Sequence, residues 1–336
     1  MPRDTRRPRE RPERTAANLW RDAGVRHPAL PLPQRPPTLW TPLPTHGIFP
    51  VMDRLVTYFA AIPSSHRSAL LAGGIAFFWL WELAAPLERR PYAKGRHALV
   101  NVFFTGTTIV VNFALAFLLL RTSEWAVGAH VGLLPMLGTL PLAAQALIGL
   151  LVLDLVGAWL PHFVEHKTPL LWRLHLVHHS DRHVDTTTAN RHHPGESVVR
   201  FVFTLGAVAV AGAPMWLVFL YQSLSVVLSQ FNHANIALPV ALDRALSWVI
   251  VSPDMHKVHH HYVLPHTDSN YGNVFSVWDR MFGTFMTIDR SRLVYGIDTH
   301  LADAEHTTAS ALLTMPLRKG TGRLVDPSAA TARGTP

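Results

Sequence analysis

Histidine is the residue type whose numbers and spacing carry chemistry in this sequence. It occurs 21 times in 336 residues, and fourteen of those fall between 162 and 266. Three runs concentrate them: His162-Phe-Val-Glu-His166, His175-Leu-Val-His178-His179 and His256-Lys-Val-His259-His260-His261. On a helix, residues three and four apart project from one face. Each run can therefore turn two or three imidazoles toward one point. The eight histidines His162, His166, His175, His178, His179, His256, His259 and His260 exceed what one metal accepts, since zinc is satisfied by roughly four ligands. Two metals sharing the set is the simpler arithmetic. Neutral imidazole suits iron, zinc, copper or nickel, so ligand type alone does not select the metal. Cysteine is absent, which excludes disulfides, thiolate metal sites and cysteine nucleophiles.

The elements that must position these histidines are unusually apolar. Apolar residues make up 49% of the chain and charged residues 15%, against about a quarter charged in ordinary soluble domains. A membrane span needs about 20 mainly apolar residues. Residues 68–87 meet that, with Glu82 near the end, and 98–120 carry no charge at all. Residues 140–160 make a third candidate, with Asp154 toward its end. The stretch 201–242 is free of charge and is interrupted by Pro214 and Pro239, which suits a hairpin or two short re-entrant segments. Arg89, Arg90, Lys94 and Arg96 follow the first candidate, whereas the next loop has only Arg121. The positive loop marks the cytoplasmic side. Alternation then puts the histidine runs of 161–200 and 243–336 together in that compartment.

The formal charge of +8 does not indicate a nucleic-acid partner, because of where it lies. Residues 1–50 hold nine Arg against four acids, and eleven of the 26 prolines. This reads as a disordered basic tail, and Met52 offers a second translation start.

The runs and their flanks resemble the fatty acid hydroxylase/sterol desaturase superfamily of membrane di-iron oxygenases, from about Glu82 to Gly296. Leu171-Trp172-Arg173 leads into the second run and Ser180 follows it. Arg191-His192-His193-Pro194-Gly195-Glu196 is similar to the family's Arg-x-His-Pro-x-Glu segment. Ser252-Pro253 precedes the third run. Asn270-Tyr271-Gly272 and the segment from Trp278 to Thr284 close the match and are its most specific part. One departure is Trp159-Leu160-Pro161 before His162, where Pro161 is expected to bend the span's end. The resemblance implies a membrane anchor of about four helices, a cytoplasmic cap and two irons between which dioxygen is activated. It also implies that His193 and His233 complete a ligand set made of His162, His166, His175, His178, His179, His256, His259 and His260. Asp154, Glu196, Asn270 and Asp279 are candidates to orient those ligands.

The expected fold is thus an all-α integral-membrane bundle of about four spans or half-spans with a helical cap carrying a dimetal site. The expected division is a tail over 1–52, a catalytic domain over 53–300 and a polar tail over 301–336. The expected function is dioxygen-dependent hydroxylation or desaturation of a lipid or sterol-like substrate. Two iron ions would serve it, with zinc as a conceivable substitute, and no haem or flavin domain is visible, so electrons would come from an external donor protein. Two other classes fit less of the sequence. A zinc-dependent membrane hydrolase would draw its general base from Glu165 or Glu196, and eight imidazoles are too many for it. A non-catalytic metal-binding membrane protein or transporter would place ionisable residues within the spans, whereas these histidines lie at span ends and beyond.

Overall fold

The computed structural model describes residues 50–89, 91–300 and 302–318. The basic tail expected over 1–49 and the end of the expected polar tail, 319–336, lie outside the described residues. Among the described residues the fold is all-α, with no strand beyond three isolated antiparallel bridges. The long helices are α1 (Pro50–Ala60), α2 (Ser64–Ala84), α3 (Lys94–Gly128), α4 (Leu142–Asp154), α5 (Leu160–Lys167), α6 (Pro169–His179), α7 (Pro194–Ala211) and α8 (Met215–His233). Shorter ones follow: α9 (Val240–Leu246), α10 (Pro253–His259), α11 (Val277–Met281) and α12 (Ala309–Thr314). Among the described residues, three segments are long and apolar enough to cross a membrane: Lys94–Met136, Leu142–Lys167 and Pro194–Ala211. Helices α2 and α8 match them in length and fall short in mean hydropathy. The molecule is a helical membrane protein.

The stretch read as 201–242 is a hairpin, α7 and α8, that begins earlier than expected, at Pro194. Its turn is tight because Gly212 adopts φ 66° and packs against Gly132, itself at φ 104°. A Cβ on Gly212 would lie 2.4 Å from Val131 O, so only glycine fits. Leu153, Val208, Ala211, Leu217 and Val218 pack where α4, α7 and α8 meet, and they are almost fully buried.

Pro161 does not break the third span. Residues Leu155–Trp159 form one π-helical turn that joins α4 to α5, and Pro161 occupies the first turn of α5. A proline there needs no hydrogen-bond donor. The extra residue in the wider turn rotates α5 relative to α4, as such turns do at functional sites, and sets the facing of His162 and His166.

Buried carboxylates stitch the bundle to the cap. Asp154, fully buried in α4, accepts from Tyr221 Oη (3.0 Å), Val274 N (3.2 Å), Phe275 N (3.0 Å) and Trp278 Nε1 (3.0 Å). Glu82, at the end of α2, accepts from Thr186 N (2.7 Å), Asn235 N (2.9 Å) and Lys94 Nζ (2.6 Å). The acid that interrupts an apolar helix is therefore what ties that helix to the loops on either side of two histidine-bearing elements. Buried Arg191 gathers Val177 O, Asn101 Oδ1, Ser180 Oγ and His306 O. Within the segment expected to be a polar tail, residues 302–318 fold back onto α6 and α3, with Leu312 and Met315 buried beside Phe104 and Leu176.

Asp154→Ala would leave four donors in the protein interior without their acceptor. At about 1–3 kcal/mol for each unsatisfied buried group, we expect a loss of at least about 3 kcal/mol, read as a lower midpoint for thermal unfolding of the detergent-solubilised protein. An unchanged midpoint would mean that these four groups find other partners.

Candidate metal centre

Nine of the described histidines converge into two groups. In each, every residue offers one nitrogen, and these nitrogens lie within 4.8 Å of one another. The first group is His162, His166, His175, His179 and His259; the second is His178, His233, His256 and His260. All nine are buried.

Helical geometry produces the division. In α6, His175 and His179 stand four residues apart on one face and serve the first group, while His178, about 100° around the helix, serves the second. At α10 the assignment is mirrored: His256 and His260 serve the second group and His259 the first. The two elements therefore straddle both groups. Ring contacts knit the groups together, with the His179 and His260 centroids 4.8 Å apart and those of His175 and His178 5.1 Å apart.

The backbone fixes which nitrogen faces inward. His162 Nδ1 lies 2.8 Å from Tyr271 O, His259 Nδ1 2.6 Å from Ser269 O, and His233 Nδ1 2.8 Å from Ser229 O. A carbonyl oxygen can only accept, so each Nδ1 carries the proton and each Nε2 presents a lone pair. Nε2 of His162 and of His259 is buried with no hydrogen-bond partner among the described residues. In the second group, His233 Nε2 lies 3.2 Å from His178 Nε2, 3.0 Å from His256 Nε2 and 3.3 Å from His260 Nε2. Nitrogens that close, one of them a fixed lone pair, are the donor set a cation satisfies. Burial, and after it the neighbouring imidazoles, hold His178, His179, His256, His259 and His260 well below the ordinary imidazole range. They are neutral at pH 7, the form that binds metal. The residues present fit two metal ions.

Carboxylates complete the orientation. His175 Nδ1 donates to Glu196 Oε1 (2.8 Å), an oxygen also approached by His192 Nδ1 (2.8 Å) and Arg200 Nε (3.0 Å). Arg200 Nη2 in turn holds Glu165 Oε2 at 2.7 Å. Asp268 Oδ1 lies 3.2 Å from His166 Nδ1. Residues 268, 269 and 271 thus orient three of the five imidazoles of the first group. That loop is pinned by Asp279, which accepts from Tyr271 N (2.8 Å), Gly272 N (2.8 Å), Trp159 Nε1 (3.1 Å) and Thr284 Oγ1 (2.7 Å). Asn270, at φ 51°, ties it to Met255 O and Met286 O. Asparagine is among the side chains that tolerate that conformation.

Nine of the ten histidines expected as ligands meet here, and His193 does not. It precedes Pro194 at the N-terminus of α7, where its Nδ1 accepts Gly195 N–H (3.1 Å) while Nε2 faces Leu313 O at 3.3 Å. Capping uses the side chain that a metal would need. Its neighbour His192 stacks on His178 instead, at 4.7 Å. Of the candidate orienting residues, Glu196 touches a ligand directly, Asn270 and Asp279 act through the backbone, and Asp154 anchors 274–278. Arg280 does not pair with Asp279: it stacks on Trp248 and Phe285. The sequence reading missed Asp268 and the carbonyls of Ser229, Ser269 and Tyr271. The Asn-Tyr-Gly segment was the signal, but a carbonyl contact has no residue signature.

Five imidazoles beside four, at the ends of apolar helices, define a helical membrane protein with two buried histidine groups that could hold metal ions. Residues 146–284 match the family model for fatty acid hydroxylase. Over 152 residues the chain is 28% identical to an ornithine lipid hydroxylase of Rhizobium tropici, covering 43% of each chain. Over 211 residues it is 26% identical to the alkylglycerol monooxygenase of Danio rerio, covering 61% of this chain and 45% of that one. The Homo sapiens alkylglycerol monooxygenase is 28% identical over 146 residues, 41% of this chain and 30% of that one. The chain therefore spans less than half the length of these curated relatives, and no solved structure matches it. These matches make the chain similar, over its histidine-bearing part, to the fatty acid hydroxylase/sterol desaturase superfamily.

Glu196→Ala removes the acceptor that aligns His175. Loss of such an outer partner typically weakens metal binding by about 10–100-fold. We expect that loss in metal retained against a graded chelator, at unchanged helix content. Equal retention would show that His175 is aligned without Glu196.

Proposed function

We propose that the chain is an oxidoreductase that uses two iron ions and dioxygen to hydroxylate or desaturate a lipid or sterol-like substrate drawn from the membrane. The observation that carries this is the pair of buried imidazole groups, with inward lone pairs set by backbone carbonyls, seated at the ends of membrane-spanning helices. The named relatives, an ornithine lipid hydroxylase and alkylglycerol monooxygenases, support a lipid substrate. Iron, when bound, supplies dioxygen activation and attack on an unactivated C–H bond.

The chain's own residues do the remaining work. His162, His166, His175, His179 and His259 hold one ion, and His178, His233, His256 and His260 hold the other. Tyr271, Ser269, Ser229, Asp268 and Glu196 keep the rings aligned. The packed cap excludes water around the site. The positive loop at Arg89–Arg96 supports a cytoplasmic active site, and an external electron-donor protein supplies two electrons per turnover. The zinc-hydrolase alternative is disfavoured by geometry, because Arg200 already engages both carboxylates nominated as its general base, Glu165 and Glu196.

The deciding measurement is elemental analysis of detergent-purified protein beside the double variant His178→Ala/His179→Ala, which removes one ligand from each group. About two irons per chain, lost in the variant together with lipid oxidation, is the expected result. A single zinc, or lipid oxidation that survives the double substitution, would overturn the reading.

A further inference from the structure

Away from the metal centre, α1, α2 and α8 enclose a groove of about 560 Å³. Its walls are apolar: Phe59, Leu70, Leu220, Leu224, Val227 and Leu228. One end is polar. There Tyr58 Oη lies 3.0 Å from His66 Nδ1, both side chains lining the groove, and the Arg67 guanidinium sits 4.7 Å from the Phe219 ring, one residue before Leu220.

The opposite end is closed. Gln230 reaches from α8 to α2 and donates from Nε2 to Leu71 O (2.9 Å). It occupies space that exists only because residue 74 is glycine, where a Cβ would fall 2.0 Å from Gln230 Oε1. Beside it Phe231 packs on Phe78 at 5.9 Å. The groove thus ends at Leu228, five residues and about 7.5 Å of helix rise short of His233.

The geometry points to a resident lipid site, separate from the metal centre, that holds one alkyl chain of an anionic membrane lipid with its headgroup at His66 and Arg67. Three observations select that occupant. The volume is in the range of sites that enclose a drug-sized or chain-sized ligand (about 300–1,000 Å³). An apolar groove between these helices gains from hydrocarbon contact along its apolar walls, because a void forfeits the dispersion its lining atoms would otherwise make. The polar end offers the hydrogen-bonding groups of Tyr58 and His66, with the Arg67 cation next in the chain at its rim, which complement a carboxylate or phosphate and not a second apolar helix. The Gln230 and Phe231 closure makes the groove a berth and not a passage to the histidines. The inference does not depend on which metals the site binds or on what it oxidises.

The test is photolabelling of the detergent-purified full chain with a long-chain fatty acid carrying a mid-chain diazirine, mapped by peptide mass spectrometry. Labelling should concentrate on peptides covering 58–70 and 219–228, above that of Phe113 and Phe117, which are among the most exposed side chains of α3. Ala69→Trp, at an exposed position lining the groove, should cut labelling of those peptides by about tenfold as the chain no longer fits. Arg67→Gln should weaken it without filling the groove. Helix content and bound metal report folding of each variant independently. Labelling no greater than at Phe113 and Phe117, or unaltered by Ala69→Trp, would overturn the proposal and leave only ordinary bilayer contact. Label that runs past Leu228 onto the histidine-bearing peptides would also overturn it, by showing a passage where closure is inferred.

Discussion

Nine imidazoles buried within two groups of nitrogens impose the constraint on which this fold turns. Their inward lone pairs repel one another until a cation lies between them, and no apolar packing compensates for that. Five of the nine rings are held from behind by something fixed. Here the holders are mostly carbonyls, at Ser229, Ser269 and Tyr271, with the Glu196 and Asp268 carboxylates for two more rings. A carbonyl is a sound choice for this task. It accepts without carrying net charge, and its position is fixed by the chain on both sides.

That choice moves the burden outward. A carbonyl is only as well placed as its loop, so the 268–272 segment has to be rigid without belonging to a helix or a sheet. Asp279 supplies the rigidity by collecting two successive backbone N–H groups of that loop, and it joins the loop to the span through Trp159. Asp154 does the same for the next segment, 274–278. Glu82 does so for the turns beside Thr186 and Asn235. Each of these acids sits at or near the end of an apolar helix or in the cap, and each is buried. A buried carboxylate that accepts several hydrogen bonds is tolerable, and removing it exposes every donor at once.

How much of this was legible in the sequence follows from which interactions have a side-chain signature. The three histidine runs were readable because helical spacing turns a one-dimensional pattern into a shared face, and His233 followed from family likeness. The hairpin was readable from its length and its two prolines. His193 misled because His-Pro-Gly-Glu has the composition of a ligand segment, while the position before Pro194 is a helix cap and caps consume their side chains. Pro161 sits in the first turn of α5, and the π-helical turn just before it has no residue signature. Asp268 and the three carbonyls left no trace, because a main-chain oxygen is present at every residue. The fold-back of 302–318 was hidden for a related reason, since Leu312 and Met315 are too few to make a periodic pattern.

The distribution of polarity along the bundle follows from the same constraint. Away from the histidines, α3 presents Val110, Phe113 and Phe117 outward, each more than half exposed, as a surface bathed in hydrocarbon would. Toward the histidines five of the helices acquire a polar group: Glu82 on α2, Asn101 on α3, Asp154 on α4, Glu196 and Arg200 on α7, and Gln230 with His233 on α8. Dispersed along the spans, such groups would each need a partner in lipid. Gathered at one end, most of them partner the cap and one another. A site made of neutral ligands adds no charge of its own when empty, so the helices can be built and packed as apolar rods whose polar ends meet only in the assembled fold. The metal centre and the membrane anchor are in this sense one structure, with the buried carboxylates as the joints between them.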